Sequence, residues 1–428
     1  MSTRGSNHKE TGRTKEDVVA QGFVAPGFEA VRECFETNLR ETEVGAAFAV
    51  HHRGRLVVDL WGGVADPATG RPWAADTRAQ IFSGSKGVIA AALLRLCDSG
   101  VLRLDDPIAR HWPEFAAHGK DRFTVSDAVT YCAGLPAITD RVVELDDLSD
   151  ARAMARALAE QAPVTGPRLI YGPWTMGWLV EELTFRTTGL SLREYFRREI
   201  AEPHGLAIDW CLSPADEVAT VVHDDAFAGQ YDRFNESDDP LTRAIWANPI
   251  PFPKGRVVWN EEALRTAYVP AANIVGTARD ISRLYALVIE DLYRPDGEPG
   301  HLARAATVRD ALTPYVRQED PTLGFPFAYG RGGFRLKGTP RTGVDADMFG
   351  HDGGGGSAHF GWPGAGIALS YTPNHLLDIG NDDHRAGNLI RALKSALRDL
   401  APESEPDRGP EPGPEVRHEQ GAGEAVPA

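Results

Sequence analysis

The chain has 428 residues, 42% of them hydrophobic, which is ample for one large core or two intimately packed lobes. A formal net charge of −16 argues against nucleic acid or an anionic membrane surface as a partner, and no apolar run is long enough to span a bilayer. Residues Met1 to Asp17 carry no apolar signal segment, and Cys34, Cys97, Cys132 and Cys211 lie far apart with no Cys-x-x-Cys, so the expectation is a cytoplasmic protein with free thiols.

In chain order, residues 1–17 are polar and charged and read as a disordered tail. Val19 to Asn38 reads as a helix. Gly45 to Val50 and Leu56 to Trp61 read as strands, joined through His51 to Arg55 with Gly54 as a hairpin. A long helix begins near Ser83. Helical spacing returns over Val125 to Tyr131, Leu148 to Gln161, Thr175 to Arg186 and Leu192 to Ile200. From Ser213 to Thr266 the pattern breaks into a stretch containing Pro and Trp. A stretch that long inside a compact domain is usually functional, and the expectation is a lid over a pocket. Thr277 to Ile289 is a further helix. Strands follow over Gly333 to Leu336, Gly356 to Gly361 and Gly366 to Thr372, then a helix from His384 to Leu400. Residues 401–428, rich in Pro, Glu and Gly, read as a second disordered tail. Strands at both ends with helices between predict an α+β fold. One antiparallel sheet is built from residues 18–110 and 270–400, and a mainly helical lobe, 111–269, is inserted.

The stretch Phe82-Ser83-Gly84-Ser85-Lys86-Gly87 is the most informative feature. Residues three apart share a helix face, so the spacing sets a hydroxyl beside an amine. A buried amine can lose its proton near neutral pH and then accept one from a serine, the first step of Ser-Lys acyl transfer. Ser-x-x-Lys by itself says little: Ser6-Asn7-His8-Lys9 also matches, in a polar tail. Ser83 differs in its surroundings. Gln80-Ile81-Phe82 precedes it, and the apolar stripe Val88, Ile89, Ala92, Leu93 and Leu96 follows at helical spacing. The competing reading of Ser83 is a helix N-cap, with Lys86 on the surface.

Further stretches bear on the same chemistry. Leu104-Asp105-Asp106-Pro107 and Trp112-Pro113-Glu114-Phe115 follow the Ser83 segment. Cys132-Ala133-Gly134-Leu135-Pro136 follows an apolar helix, and Tyr171-Gly172-Pro173-Trp174 precedes another. Pro270-Ala271-Ala272-Asn273 precedes a third, and Gly350-His351-Asp352-Gly353-Gly354 opens a glycine-rich turn. In this order, over roughly Gly45 to Leu397, they resemble the serine β-lactamase and penicillin-binding-protein superfamily, in its esterase-like, class C-like branch. The resemblance implies a β-lactamase-like fold with Ser83, Lys86 and Tyr171 as catalytic residues. Ser83 and Gly354 would supply the N–H groups of an oxyanion hole. His351, Asp352, Gly353 and Trp174 would border the substrate. Tyr171, near a protonated lysine, is expected to have its pKa pulled down and to serve as general base, then general acid. His351 is expected to face the site, and Gly353 to let substrate pass close to the backbone.

Two departures from the lactamase pattern matter. Pro173 stands where lactamases carry an asparagine, and His351-Asp352 replaces Lys-Thr, so anionic substrates should bind poorly. The expectation is a serine esterase or amidase acting on a small, neutral ester or amide. A transacylase using an amine or alcohol acceptor, a D-aminopeptidase-like activity and a non-catalytic binding protein on the same fold are the alternatives. No cofactor and no metal are implied. His51-His52 and Asn381-Asp382-Asp383-His384 have no clustered ligand set and read as surface polar residues. Nothing in the sequence specifies an oligomeric state.

Overall fold

The computed structural model describes residues 19–210, 212–213, 216–336, 347–377 and 383–400; both expected tails lie outside the described residues. The continuous path of the main sheet is made of β1 (Gln21–Val24), β2 (Gly45–His52), β3 (Arg55–Asp66), β4 (Pro314–Glu319), β5 (Pro326–Gly330), β6 (Arg335–Leu336), β7 (Phe349–Asp352), β8 (Ala358–Trp362) and β9 (Ile367–Pro373), and the short strand Arg71–Pro72 pairs with β3 off this path. They run in the order β1-β3-β2-β9-β8-β7-β6-β5-β4, and every pairing in this series is antiparallel. The sheet is therefore made from both chain ends, as expected. The principal helices are α1 (Glu29–Glu41), α2 (Ser85–Asp98), α3 (Thr175–Thr188), α4 (Ala278–Leu292) and α5 (Arg385–Leu400).

Strand periodicity decides which helix covers which face. On β2, Ala46, Phe48 and Val50 face one side, and on β9 Ile367, Leu369 and Tyr371 do the same; they pack with Val31, Phe35 and Leu39 of α1 and Leu389, Ile390 and Leu393 of α5. The opposite side of β2 presents the small residues Ala47 and Ala49, and the side chains there are short enough for α4 to lie close. Large residues on one face and small ones on the other thus set the helix distances.

The N-terminal helix differs from expectation. Val19 to Val24 is not helical: Gln21–Val24 pairs with β3, and helix begins only at Glu29. Gly22 at φ +92° and the Pro26-Gly27 pair keep the chain extended and then turn it. The hairpin holds, with Arg53 and Gly54 both at positive φ, as a tight turn between right-twisted strands requires. Strands β4, β5 and β7 add to those expected. The stretch 213–266 carries short helices at Asp225–Gly229, Asp232–Asn235, Pro240–Trp246 and Glu262–Arg265. His51 is not a surface residue: it is buried and hydrogen-bonded through Nδ1 to Ser282 Oγ of α4 at 2.9 Å. Asp383 is buried as well, paired with Arg385 at 2.7 Å. Asn381 and Asp382 lie outside the described residues. No helix among the described residues is long and apolar enough to cross a membrane.

A second, small sheet joins distant parts of the chain near Ser83. Val275–Gly276 lies between Ala79–Gln80 and Ile208–Asp209. The Ile81 N–H donates to Ile274 O at 3.0 Å, and the Ile274 N–H donates to Ser85 Oγ at 3.2 Å. The segment 270–274 is thereby clipped to the turn that carries Ser83. On its other side it meets α3 at Gly177, where an added Cβ would lie 2.6 Å from the Ala271 backbone nitrogen. Gly177→Ala is expected to displace segment 270–274 and to lower stability by about 1–3 kcal/mol, the usual cost of overpacking. Urea unfolding of the two proteins checks this, and an unchanged midpoint would refute it.

Candidate active site

Ser83 is not a helix cap. It sits in the 3₁₀ turn Phe82–Gly84 ahead of α2, whose N-cap position, Gly84, receives no side-chain hydrogen bond. Phe82 holds φ at +46°, a region that costs a bulky residue about 1–3 kcal/mol and is kept only where the surroundings enforce it. Here the Phe82 ring packs edge-on against Trp259 at 5.7 Å and against Phe252 at 5.5 Å. Gly84 is required for a close approach: its missing Cβ would lie 2.4 Å from Cδ2 of the buried His359.

Lys86, in the first turn of α2, is fully buried. Its Nζ reaches Ser83 Oγ at 3.0 Å, Pro173 O at 2.8 Å and Ala271 O at 3.1 Å. Among the described residues no carboxylate pairs with it directly. Burial pulls its pKa down to about 7, and the more distant Asp352 opposes the shift. Tyr171 Oη donates to the same Ser83 Oγ at 2.9 Å. Residues 83, 86 and 171 therefore converge on one hydroxyl, as expected from the sequence.

The tyrosine's titration runs opposite to expectation. Burial pushes the Tyr171 phenol well above its ordinary range, outweighing the hydrogen bond to Ser83. The expected lowering required a fully charged lysine. The same burial that removes water from the phenol also discharges the amine.

The third expected element lies across the pocket. His351 stands on β7 and is buried, and burial drives its pKa down to about 3, so it is neutral at pH 7. Asp352 lines the same pocket, and it is not an open negative charge. Arg335 of β6 donates to it at 2.8 Å while its guanidinium lies over the Phe327 ring at 4.1 Å. The sequence reading did not include this partner, which offsets the carboxylate's charge. Gly353 lines the pocket, and its smallness also serves the fold. A Cβ there would lie 2.3 Å from the Ile81 carbonyl, so its smallness admits the protein's own backbone. Gly354 lines the pocket, and neither its N–H nor that of Ser83 donates to a backbone acceptor among the described residues.

The pocket wall is aromatic. Phe82, Trp174, Tyr231, Phe234, Trp246, Phe252, Trp259, Phe325 and Phe327 line it with Ser83 and Tyr171. Trp174 is on the wall, as expected; Trp178 is buried in the core. Most of the remaining aromatic lining comes from the stretch 213–266, and the rest from the connection between β4 and β5 and from β5 itself. The other quoted motifs support the framework. Asp106 receives the Arg103 N–H and pairs with Arg110 and His111. Asn273 holds the Leu264 and Ala267 carbonyls.

Sequence reading missed Arg335, the two carbonyls that hold Lys86, and Asp320, whose carboxylate receives the Tyr171 N–H at 2.7 Å. A signal for Arg335 existed: a lone charge between Phe334 and Leu336 on a predicted strand.

The model of the beta-lactamase family matches residues 31–394. The chain belongs to the beta-lactamase family. An esterase/beta-lactamase, LipL, of Mycobacterium tuberculosis is 33% identical over 379 residues, with 83% of each chain covered. A penicillin-binding-protein homologue from Caulobacter crescentus is 33% identical with a TM-score of 0.76, over 88% of this chain and 99% of that one. A family VIII carboxylesterase is 31% identical with a TM-score of 0.77, again over 88% of this chain and 99% of that one. The fold is that of the serine β-lactamases and penicillin-binding proteins, and the protein is a serine hydrolase.

Asp352 is the anion whose field keeps the Lys86 pKa from falling further. Asp352→Asn removes that field and leaves the Arg335 charge uncompensated. Both changes disfavour the ammonium, so the acid limb of the pH–rate profile should move to lower pH. A kcat/KM profile on a neutral ester checks the direction, and a limb moved to higher pH would contradict it.

Proposed function

We propose that the protein is an esterase that works through an acyl-enzyme on Ser83 and takes neutral esters with a bulky apolar or aromatic part. The observation that carries this is the hydrogen-bonding of Lys86. A neutral amine has two N–H groups, and two buried carbonyls, Pro173 O and Ala271 O, are placed to accept them. Its lone pair then faces Ser83 Oγ at 3.0 Å. The Ser83 proton passes to Lys86 as Oγ attacks the ester carbonyl. The N–H groups of Ser83 and Gly354 hold the oxyanion. Collapse breaks the bond to the alcohol oxygen, which takes the Tyr171 proton, and the Lys86 ammonium restores the phenol. Water then attacks the acyl carbon, and Ser83 recovers its proton as the acid departs. In this scheme Lys86 is the base and Tyr171 the acid, in place of the tyrosinate base expected from the sequence.

The electrostatics support a neutral substrate. Lys86 titrates near neutrality, His351 is uncharged, and Asp352 and Arg335 offset each other. Among the described residues no unbalanced cation faces the serine to hold a substrate carboxylate, as β-lactams and peptide C-termini would need. The aromatic wall suits an apolar acyl or alcohol group, since each buried aromatic side chain offers a large contact area. The relatives described as esterases agree with this reading. The same acyl-enzyme could pass its acyl group to an alcohol or amine, and added acceptors would show the transfer product.

Incubation with a fluorophosphonate followed by intact-mass measurement should give a single adduct, located on Ser83 by peptide mapping. Ser83→Ala and Lys86→Ala should give none, with ester turnover down by about 10⁴-fold or more. A Ser83→Ala protein that still turned over aromatic esters would sink the proposal.

The pH profile separates the two candidate bases. As pH rises through about 7, Lys86 loses its proton and the base becomes available, so kcat/KM should climb there and then level off. The phenol of Tyr171 is held protonated above its ordinary range, so no fall is expected below about pH 10. A profile limited instead by an ionisation in the tyrosine range would return the base role to Tyr171.

A further inference from the structure

The connection between β4 and β5 contains a charge that the scheme above does not use. Asp320 is fully buried. One of its oxygens, Oδ2, receives the Tyr171 N–H at 2.7 Å. The other, Oδ1, receives the Thr322 N–H at 2.8 Å, the Thr322 hydroxyl at 2.7 Å and the Leu323 N–H at 3.0 Å. Four donors to one carboxylate, three on Oδ1 and one on Oδ2, fix its orientation. No cation is among them.

The same turn reaches the aromatic cap. Thr322 Oγ1 accepts the indole N–H of Trp246 at 2.9 Å. Trp246 ends the helix Pro240–Trp246 in the stretch over the pocket, and its ring lies near-parallel to that of Tyr171, with centroids 5.9 Å apart at 22°. Phe327, which begins the exit from this turn, lies near-parallel to Tyr171 on its own account, at 5.3 Å and 21°. Backbone, ring and cap of the tyrosine are thus all referred to one turn.

Resting on the esterase reading, we infer that Asp320 is a positioning residue that couples the proton-donating Tyr171 to the aromatic cap through Thr322 and Trp246. It touches neither substrate nor Ser83. It sets where the Tyr171 backbone sits, and so where the phenol meets the serine oxygen. Through Thr322 it also sets where the Trp246 indole closes the pocket. A filled pocket that presses on Trp246 is then transmitted to the group that must protonate the leaving alcohol.

Two kinds of substitution separate the arms. Asp320→Asn keeps the shape but turns one acceptor into a donor facing an N–H. It should lower kcat by about tenfold or more for a small acetate ester, since small misplacements of reacting groups are costly, with KM changed less than about threefold. Trp246→Phe and Thr322→Val cut the indole bond from opposite ends. Each should raise KM for a naphthyl ester several-fold, and the double variant should be no worse than the more impaired single one, because both remove the same link. Circular dichroism and thermal unfolding establish that each variant is folded.

An Asp320→Asn enzyme with kcat within twofold of the parent, or with losses in kcat and KM of equal size, overturns the positioning role. Additive losses in the Trp246→Phe, Thr322→Val pair overturn the coupling, and this cycle decides the matter if Asp320→Asn does not fold. Ser83→Ala guards the distinction from the esterase reading. If it remains active the whole scheme fails; if it is inactive while Asp320→Asn behaves like the parent, only the present inference fails.

Discussion

The site depends on burying one amine without giving it a counterion. Lys86 is enclosed by α2, the Tyr171 turn and segment 270–274, and among the described residues it is met there by two carbonyls and the Ser83 hydroxyl. Moving its pKa from 10.5 to about 7 corresponds to roughly 5 kcal/mol of lost preference for the charged form. That cost falls on the folded protein, and the rest of the framework has to sustain it. A carboxylate in contact with Lys86 would lower the cost and abolish the base. Asp352 is close enough to be felt and is itself occupied by Arg335, an intermediate arrangement in which the amine titrates near neutrality.

Several features of the fold serve this arrangement. The three-stranded sheet Ala79–Gln80, Val275–Gly276, Ile208–Asp209 joins the residues before Ser83 to those after Ala271. One carbonyl ligand of the lysine is thereby registered against the nucleophile's own turn. The other, Pro173 O, lies two residues beyond Tyr171. The proline that replaces an amide side chain of the lactamase pattern therefore keeps a backbone function. The strained Phe82 and the close glycines 84, 177 and 353 mark where these segments approach within backbone distance of one another. Strain and small residues gather here because three chain segments from distant parts of the sequence must meet around a single oxygen.

The sheet, its two-ended origin and the convergence of Ser83, Lys86 and Tyr171 were legible in the sequence, because alternation, helical spacing and a spaced motif are local patterns. What escaped was whatever depended on a partner from elsewhere. The direction of the Tyr171 shift could not be read, since it turns on whether Lys86 is charged, and that turns on burial. Asp352 was read without its partner Arg335, which lies 17 positions away and on a different strand. His51 looked exposed in a polar pair until α4 supplied Ser282. Gly353 borders the pocket, and a second constraint on it, the closeness of Ser357 Oγ and Ile81 O, comes from residues the sequence does not place beside it. The N-terminal strand was read as helix because its apolar spacing is ambiguous over so few residues, and only the glycines at 22 and 27 argue otherwise.

The division of labour between the sheet framework and the stretch 213–266 follows from the same physics. Main-sheet strands and α2 hold Ser83, Lys86 and His351 through backbone pairing and a packed core, which leaves little freedom. The stretch 213–266 has short helices and supplies Tyr231, Phe234, Trp246, Phe252 and Trp259 to the pocket, so its order depends on side-chain contacts more than on ladders. Such a segment is the part of a fold best able to adapt to different apolar groups. Tyr171 stands at the boundary. Its hydroxyl belongs to the rigid cluster, its ring lies against Trp246 from the cap and Phe327 from β5, and its backbone is held by Asp320. A proton donor placed on that boundary lets an adaptable wall meet an exacting reaction centre without either setting the other's geometry alone.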